Sequence, residues 1–192
     1  RAVRMALRLI AIVTEGDKGR EYISANSEHI HAANVELPAG FPDASLPFNP
    51  RNFQTPNYGL ETFASLFTPR QLTALVTFSG LVKEAQKEVE KDAIAAGLVN
   101  DGISLRDGGI GAKAYGEAVG IYLSFAIDRL ANRSSTICIW NRIGEKIEQT
   151  FGRQAIPMTW DFAEANVFSN STGSWSGSLG WIPDCIDEFP EA

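Results

Sequence analysis

The stretch TPRQLTALVTFSGLVKEAQKEVEKDAIAAG, residues 68–97, decides the fold because it carries a complete set of signals for one long helix. Thr68 is a residue type that caps helix N-termini, Pro69 suits the first helical position, and Gln71 completes a capping box. Apolar residues then recur at three- and four-residue steps until Gly97, which favours a helix end. The stretch therefore predicts a long helix with one apolar face.

A second helical pattern follows a Gly-rich connection, residues 108–111. The apolar residues that define this pattern are Ala112, Tyr115, Val119, Tyr122, Leu123, Ala126, Ile127 and Leu130. Gly116 and Gly120 lie within it, and because Gly in a helix costs roughly 1 kcal/mol relative to Ala, close approach of a neighbouring helix is their simplest explanation. The connection matches neither of the Gly-rich phosphate-binding motifs, so we expect a flexible connection rather than a phosphate cradle.

Two further helical segments are predicted towards the C-terminus. Apolar residues at partly helical spacing indicate a third helix, most clearly over 145–151 with Gly152 as its C-cap; they are Ile137, Ile139, Trp140, Ile143, Ile147 and Phe151. A polar loop over 169–174 then precedes an amphipathic segment over 175–186. Pro183 should interrupt that segment, because proline cannot donate the intrahelical hydrogen bond.

The N-terminal part reads as a hairpin, a short helix and a proline-rich loop. Two short apolar runs, 5–14 and 20–23, flank a Gly/Asp turn and predict a β-hairpin, although an amphipathic helix over 2–13 is the alternative. A small helix is expected over 27–35. Five prolines between 37 and 58 exclude a helix or a central strand, yet scattered large apolar residues indicate an ordered loop pinned to the domain surface.

These elements predict an α+β fold that is predominantly α-helical, with an N-terminal β-hairpin, a Pro-rich ordered loop and a layer of about three main helices. The expected organisation is a hairpin and short helix over 1–36, the Pro-rich loop over 37–60, and a helical body over 61–192 that ends in an aromatic and acidic segment. Together they should form one compact unit.

Composition narrows the possible functions. The formal net charge of −6 over 192 residues argues against a free-standing nucleic-acid binder, whose footprint is usually basic. No apolar run reaches the roughly 18 residues of a membrane span. Two cysteines and two histidines without ligand spacing predict neither a disulfide framework nor a metal site, and they favour the cytoplasm. Since the first residue is Arg1 rather than Met, we expect an excised piece of a longer protein.

The stretch FGRQAIPMTWDFAEAN, residues 151–166, concentrates aromatic and acidic side chains. Asp161 and Glu164 are three positions apart, so on a helix they would share a face. Such a pair could perform acid/base chemistry or bind a ribose or an amine, and a purely structural role is the alternative. No Ser/His/Asp set, zinc-protease motif or Walker motif accompanies them.

Four segments resemble a known family. They are Asn57-Tyr58-Gly59 through Leu66-Phe67-Thr68-Pro69-Arg70-Gln71-Leu72, then Tyr122 through Asp128-Arg129-Leu130-Ala131, then Cys138-x-Trp140, and finally residues 151–166. These motifs, which extend over nearly the whole chain, are similar to the central region of large prokaryotic adenine-specific DNA methylases that also carry a zinc ribbon. The family commonly has Pro where this chain has Val167.

The resemblance implies an insert or flank of a Rossmann-like methyltransferase that uses S-adenosylmethionine. The family's Gly-rich loop for the methyl donor, its D-P-P-Y tetrad for the target adenine and its zinc-ribbon cysteines have no counterpart in this chain. The resemblance therefore implies a segment that is inactive alone and binds no cofactor by itself. It assigns no catalytic residue to this chain. Its expected partners are the remainder of the parent enzyme and DNA, with no membrane.

Within that resemblance, the residues expected to line the cofactor or DNA cleft are Trp160, Asp161, Glu164, Asn166, Asn57 and Tyr58. The leading hypothesis is a fragment of a DNA adenine-N6 methyltransferase that shapes this cleft. The alternative is a non-catalytic interaction module of a prokaryotic defence or DNA-processing complex, favoured by the acidic balance. A stand-alone hydrolase using Asp161 and Glu164 is a third, weaker hypothesis.

Overall fold

The computed structural model describes residues 6–190, which divide into two compact units. The first unit comprises 6–73 and 134–164, and the second comprises 74–133 and 165–190. The helices are α1 (Ser27–Ala33), α2 (Pro69–Ala95), α3 (Ala112–Ala131) and α4 (Trp175–Asp187), and the strands are β1 (Ala11–Gly16), β2 (Gly19–Ser24), β3 (Trp140–Asn141) and β4 (Lys146–Ile147). The predicted α+β class, with helices predominating, is confirmed.

The N-terminal hairpin is present in the first unit. Strands β1 and β2 pair antiparallel, with Ile12 opposite Ile23 and Gly16 opposite Gly19, so that Asp17 and Lys18 form the turn. Gly19 has a φ of 132°, which side chains rarely adopt. The alternative helix over 2–13 is wrong for the described part of that range; its first residues, and the hairpin's predicted start at Met5, lie outside the described residues.

The short helix α1 begins with a capping box built from Asn26 and His29. The Asn26 side chain accepts from the His29 backbone N–H at 2.9 Å, and the Asn26 backbone N–H donates to His29 Nδ1 at 3.3 Å. His29 therefore supplies the acceptor that Glu or Gln provides in the usual box. This places the imidazole in a local structural role.

The Pro-rich loop is ordered and tied to the first unit, as predicted. Its only helical piece among the described residues is a 3-10 turn, Thr55–Tyr58. The backbone N–H of Leu46 donates to the Glu61 carbonyl at 2.8 Å, and that of Phe63 donates to the Ala44 carbonyl at 2.9 Å. These ladder-like bonds replace regular secondary structure where proline excludes it.

A small hydrophobic core holds the first unit together. Its buried members are Leu46, Leu66, Ile137 and Ile156, packed against Phe53, Leu60 and Phe67. Thr136 fastens one side, because its backbone N–H and its hydroxyl both donate to the Leu66 carbonyl, at 2.8 and 2.9 Å. The core thus joins the Pro-rich loop to the chain just after α3 and to the stretch that contains Trp160.

The predicted long helix is confirmed with its predicted ends. The Thr68 backbone N–H donates to the Gln71 side chain at 2.9 Å, and the Gln71 backbone N–H donates to the Thr68 hydroxyl at 3.3 Å. Gly97 follows the helix with a φ of 97°, the left-handed conformation that ends many helices. Helix α2 begins in the first unit and continues in the second.

In the second unit, α3 packs closely on α2 through its two glycines. A Cβ at Gly116 would lie 2.8 Å from the Gln86 carbonyl oxygen and 3.2 Å from Glu90 Cβ, and one at Gly120 would lie 3.1 Å from Gln86 Oε1. The close approach predicted from these glycines is confirmed. Such contacts bring helix backbones nearer than side chains would allow.

The third predicted helix, over 137–151, is wrong. Trp140 pairs with Ile147 and Asn141 with Lys146 in an antiparallel β3–β4 hairpin. Ile139, Ile143 and Phe151 are exposed, so the apolar residues do not form one buried helical stripe. Glu145 has a φ of 45°, and this left-handed residue turns the chain back where the helix was expected to run.

The last predicted segment forms α4, and its predicted interruption at Pro183 is wrong because the proline lies inside the helix. The Ser174 hydroxyl caps the N-terminus by accepting from the Gly177 N–H at 3.1 Å. Trp175 stacks on Phe78 with ring centroids 4.5 Å apart, and the Arg129 guanidinium lies over Trp181 at 4.4 Å. Packing at the N-terminal end and in the middle of the helix offsets the hydrogen bond that the proline removes.

Candidate functional site

Two parallel segments of the first unit bring the main candidate residues together. Phe53 and Ile156 form a parallel bridge, in which the Gln54 N–H donates to the Ile156 carbonyl at 3.0 Å and the Ile156 N–H donates to the Asn52 carbonyl at 2.7 Å. The backbone N–H of Met158 continues the pairing by donating to the Gln54 side chain at 3.4 Å. Since both segments run in the same direction, their next residues, around 58 and 160, emerge side by side.

Tyr58 and Trp160 meet where these two segments end. Their rings lie edge to face, with centroids 5.2 Å apart and an interplanar angle of 80°, a favoured aromatic geometry. Tyr58 is 43% exposed and Trp160 is 66% exposed. The pair therefore presents ring surface to solvent.

The polar tips of both rings are free within residues 6–190. Neither the Tyr58 hydroxyl nor the Trp160 indole N–H has a hydrogen-bond partner there. In the sequence, Asn57 directly precedes Tyr58 and Asp161 directly follows Trp160. Both Asn57 and Asp161 are exposed. The site therefore combines aromatic surface with two donors from the rings and with an amide and a carboxylate that can accept hydrogen bonds.

The segment that carries Trp160 is fixed on both sides of the ring. The Thr159 hydroxyl reaches the Ile137 carbonyl at 3.5 Å, and the Ala163 N–H donates to the Cys138 carbonyl at 2.8 Å. Ile137 and Cys138 are themselves buried. The exposed ring thus stands on backbone that is anchored to the core, which limits the conformational entropy lost on binding.

Glu164 does not share a helical face with Asp161, because residues 160–166 form no helix. Glu164 is instead ion-paired with Arg70, whose Nε lies 2.9 Å from Oε2 and whose Nη2 contacts Oε1. Arg70 Nη1 also donates to the Ala33 carbonyl. A carboxylate held in this way connects α1, α2 and the 156–164 segment and is a poor candidate for a free acid or base.

Asn166 belongs to the second unit and has a local role there. Its side-chain oxygen accepts from the Phe168 N–H at 3.0 Å, and its carbonyl accepts from the Ser169 N–H at 3.0 Å and the Ser169 hydroxyl at 2.8 Å. These bonds form an Asx turn at the start of the polar loop. Among the predicted site residues, the structure therefore brings Tyr58 and Trp160 into contact, and Asn57 and Asp161 are their exposed neighbours along the chain.

Two contributors to the site carry no sequence signal of their own. Gln54 supports the Trp160 segment through its side chain, and Arg70 fixes Glu164 across a separation of 94 positions. Both contacts depend on chain segments that are distant in sequence. Only the pattern of Thr68, Pro69 and Gln71 indicated that Arg70 lies in the first turn of a helix.

The Gly-rich run 108–111 does not fit a methyl donor or a phosphate. It follows a 3-10 turn, Leu105–Asp107, rather than a strand. A Cβ at Gly109 would collide with the Ile103 carbonyl, and one at Gly111 would collide with the Val99 carbonyl. Backbone already fills the space that a cradle would leave open, so the run is a closely packed connection leading into α3.

Neither a metal-binding cluster nor a membrane-spanning helix occurs along residues 6–190. No three side chains of His, Cys, Asp and Glu gather there in a group that could hold a metal ion. None of the helices in that range has the length and apolar character needed to cross a bilayer. Comparison with protein-family models, curated proteins and solved structures gives no significant match to this chain.

Proposed function

We propose that the chain is a segment of an S-adenosylmethionine-dependent DNA adenine-N6 methyltransferase, and that its Tyr58–Trp160 pair forms a wall of the cleft that receives the target base. The observation that carries this proposal is the exposed edge-to-face pair held on anchored backbone. The family resemblance in residues 57–72 and 151–166 supports it, since each ring lies in one of those segments.

The chemistry of adenine methylation explains why such a wall is useful. A base inside a duplex is inaccessible, so the enzyme must extrude it and hold it by stacking and by hydrogen bonds to its edge. Stacking on an aromatic side chain contributes roughly 1–3 kcal/mol per base. The Asp161 carboxylate and the Asn57 amide oxygen can accept a hydrogen bond from the exocyclic N6 amino group of adenine.

Methyl transfer itself falls to the remainder of the parent enzyme in this proposal. The Gly-rich run in this chain does not fit the donor, and Glu164 is engaged by Arg70. Residues of this chain would bind and orient the base while the donor-binding loop and the D-P-P-Y tetrad act from outside it. The enzyme would meet adenine in DNA in the cytoplasm.

The decisive experiment uses the full-length parent protein, expressed in a host that lacks adenine methylation. Genomic DNA is then digested with enzymes whose cleavage depends on adenine methylation, or sequenced for N6-methyladenine. We expect methylation with the wild-type protein and its loss when Trp160 and Tyr58 are both replaced by Leu. Absence of any adenine methylation by the wild-type protein would contradict the proposal.

A second candidate function, a non-catalytic interaction module of a defence or DNA-processing complex, is favoured by a different observation. Phe48 lies between Pro47 and Pro50 in the Pro-rich loop and is 92% exposed. A rigid loop that presents an aromatic side chain can anchor a protein partner. This function predicts that Phe48→Ser releases a partner in the parent assembly, whereas Asp161→Ala leaves adenine methylation unchanged.

A further inference from the structure

Three buried polar side chains, Ser135, Cys138 and Thr150, form a hydroxyl–thiol triangle beside the segment that carries Trp160. The Ser135 and Thr150 hydroxyl oxygens are 2.7 Å apart. The Cys138 sulfur lies 3.5 Å from the Ser135 oxygen and 3.3 Å from the Thr150 oxygen. All three residues are buried. Because two of them precede β3 and the third follows β4, the triangle closes the base of this hairpin.

A polar triangle inside the protein differs from apolar packing in what it contributes. Apolar side chains of similar volume would fill the same space without the loss of hydration that buried hydroxyl groups suffer. Hydrogen bonds, however, have direction, so a satisfied buried network specifies one arrangement of the groups that it joins. The triangle therefore fixes the geometry of the backbone to which it is bonded.

That backbone is the part of the chain that holds the Trp160 segment. The Ser135 hydroxyl accepts from the Ile137 N–H at 3.2 Å, and the Ser135 carbonyl accepts from the Cys138 N–H at 3.2 Å. The carbonyl of Ile137 accepts from the Thr159 hydroxyl at 3.5 Å. The carbonyl of Cys138 accepts from the backbone N–H of residue 163 at 2.8 Å. A continuous set of bonds thus runs from the triangle to both flanks of the exposed indole ring.

Thr136 provides an internal comparison, because it is buried beside the triangle but its bonds lead elsewhere. Its backbone N–H and its hydroxyl both donate to the Leu66 carbonyl, at 2.8 and 2.9 Å. Thr136 and Thr150 are therefore buried threonines of the same unit, each with a bonded hydroxyl. The Thr150 hydroxyl alone of these two belongs to the set of bonds that ends at the Trp160 segment.

We propose that the hydroxyl–thiol triangle positions the Trp160 ring against Tyr58, with Thr150 as a positioning residue. The Thr150 hydroxyl takes part in two of the three contacts, and since Thr150 is buried it acts through the other two members rather than on a ligand. A ring that is already fixed in its edge-to-face contact loses less conformational entropy on binding. The inference deepens the proposed function and rests on it only for the binding measurement below.

The first measurement uses the whole chain without ligand. NMR detects the cross-peaks between the Tyr58 ring and the Trp160 indole, which report their contact. Thr150→Val keeps the shape of the side chain and removes the hydroxyl, so we expect these cross-peaks to be lost and the Trp160 indole signal to shift. Thr150→Ser restores the hydroxyl and should restore both signals. Thr136→Val is the matched control, which should lower the free energy of unfolding in urea to a similar extent and leave both signals unchanged.

The second measurement compares binding of two short single strands, one with a single adenine in an otherwise abasic backbone and one fully abasic. Thr150→Val should lower the ratio of the two affinities by about threefold to tenfold, the factor that corresponds to one lost hydrogen bond. Thr136→Val should leave the ratio unchanged. If the wild type does not distinguish the strands while Thr150→Val still displaces the ring, the proposed function is wrong and the positioning role stands.

Two results would overturn the positioning role. One is an unchanged contact between Tyr58 and Trp160 in Thr150→Val. The other is an equal displacement of the ring in Thr136→Val, which would show that any loss of stability in this core moves it. If Thr150→Val does not fold, Ser135→Ala removes the same hydroxyl–hydroxyl bond and should displace the ring in the same way; an undisturbed ring in that variant would also exclude the role.

Discussion

Arg70 binds the Glu164 carboxylate through two guanidinium nitrogens, with Nε 2.9 Å from Oε2. The same guanidinium reaches the Ala33 carbonyl. One side chain at the start of α2 therefore holds the end of α1 and the end of the segment that carries Trp160. This arrangement makes Glu164 a structural residue and leaves Asp161 as the exposed carboxylate of the site.

Replacing Arg70 by Met should destabilise the protein. The pair is only partly buried, with side-chain exposures of 35% and 23%, so we expect a loss of roughly 1–2 kcal/mol, between the values for exposed and buried pairs. Arg153→Met is the matched control, because Arg153 is exposed in the same unit. Urea unfolding of Arg70→Met, Glu164→Gln and the double variant measures the coupling, and additive effects would contradict the assignment.

Three glycines on the α2–α3 pair should respond differently to Ala. Gly116→Ala places a methyl group 2.8 Å from the Gln86 carbonyl oxygen, and overpacking against backbone should cost about 1–3 kcal/mol in spite of the better helix propensity. In Gly120→Ala the new methyl group would lie 3.1 Å from Gln86 Oε1. This atom is at the end of a flexible side chain, which can move aside. In Gly80→Ala, on α2, the new methyl group would have no atom within 4 Å. This substitution should stabilise the protein by roughly 1 kcal/mol.

Thermal and urea unfolding of these three variants test the packing directly. The expected order of stability is Gly80→Ala, then Gly120→Ala, then Gly116→Ala. If Gly116→Ala were as stable as Gly80→Ala, the two helices could not be as close as the structure has them.

Substitutions of Glu145 test the turn that replaces the expected third helix. At a φ of 45° a non-glycine residue is strained by roughly 1–2 kcal/mol. Glu145→Gly should therefore be at least as stable as the wild type, whereas Glu145→Val, with a β-branched side chain, should lose about 1–2 kcal/mol. In a helix the order would be reversed, because Gly is the poorer helix former. Equilibrium unfolding of the two variants distinguishes these outcomes.

The sequence allowed those parts of the fold to be predicted that are governed by local signals. The start of α2 follows from Thr68, Pro69 and Gln71, whose side chains make the bonds that a capping box requires. The close approach at Gly116 follows from an otherwise unfavourable residue inside a helix. In both places, residues close together in the sequence determine the local structure.

Long-range contacts determine the parts that were missed. The apolar spacing in 137–151 suits a helix, but the pairing of Trp140 with Ile147 and the burial of Ile137 and Ile147 override it. At the site, Tyr58 and Trp160 were each identified from the sequence, while their contact depends on the parallel bridge between Phe53 and Ile156. No local pattern could have indicated that Glu164 would face Arg70.

Titration with an adenine-bearing oligonucleotide shows whether the Tyr58–Trp160 pair recognises adenine. The whole chain is titrated with a short single-stranded oligonucleotide that carries one adenine in an otherwise abasic backbone, and with the fully abasic strand. NMR of the Trp160 indole and Tyr58 ring signals reports the contact. Trp160→Leu and Tyr58→Leu are compared with Trp181→Leu, a control whose Trp is exposed in the second unit.

We expect the adenine strand to bind more tightly than the abasic strand and to shift the Trp160 and Tyr58 signals. Loss of one stacking ring should weaken binding by about 1–3 kcal/mol, or roughly 5- to 150-fold, and Trp181→Leu should have no effect. Equal binding of the two strands, or an unchanged affinity in both Trp160→Leu and Tyr58→Leu, would contradict the claim that this pair receives a base.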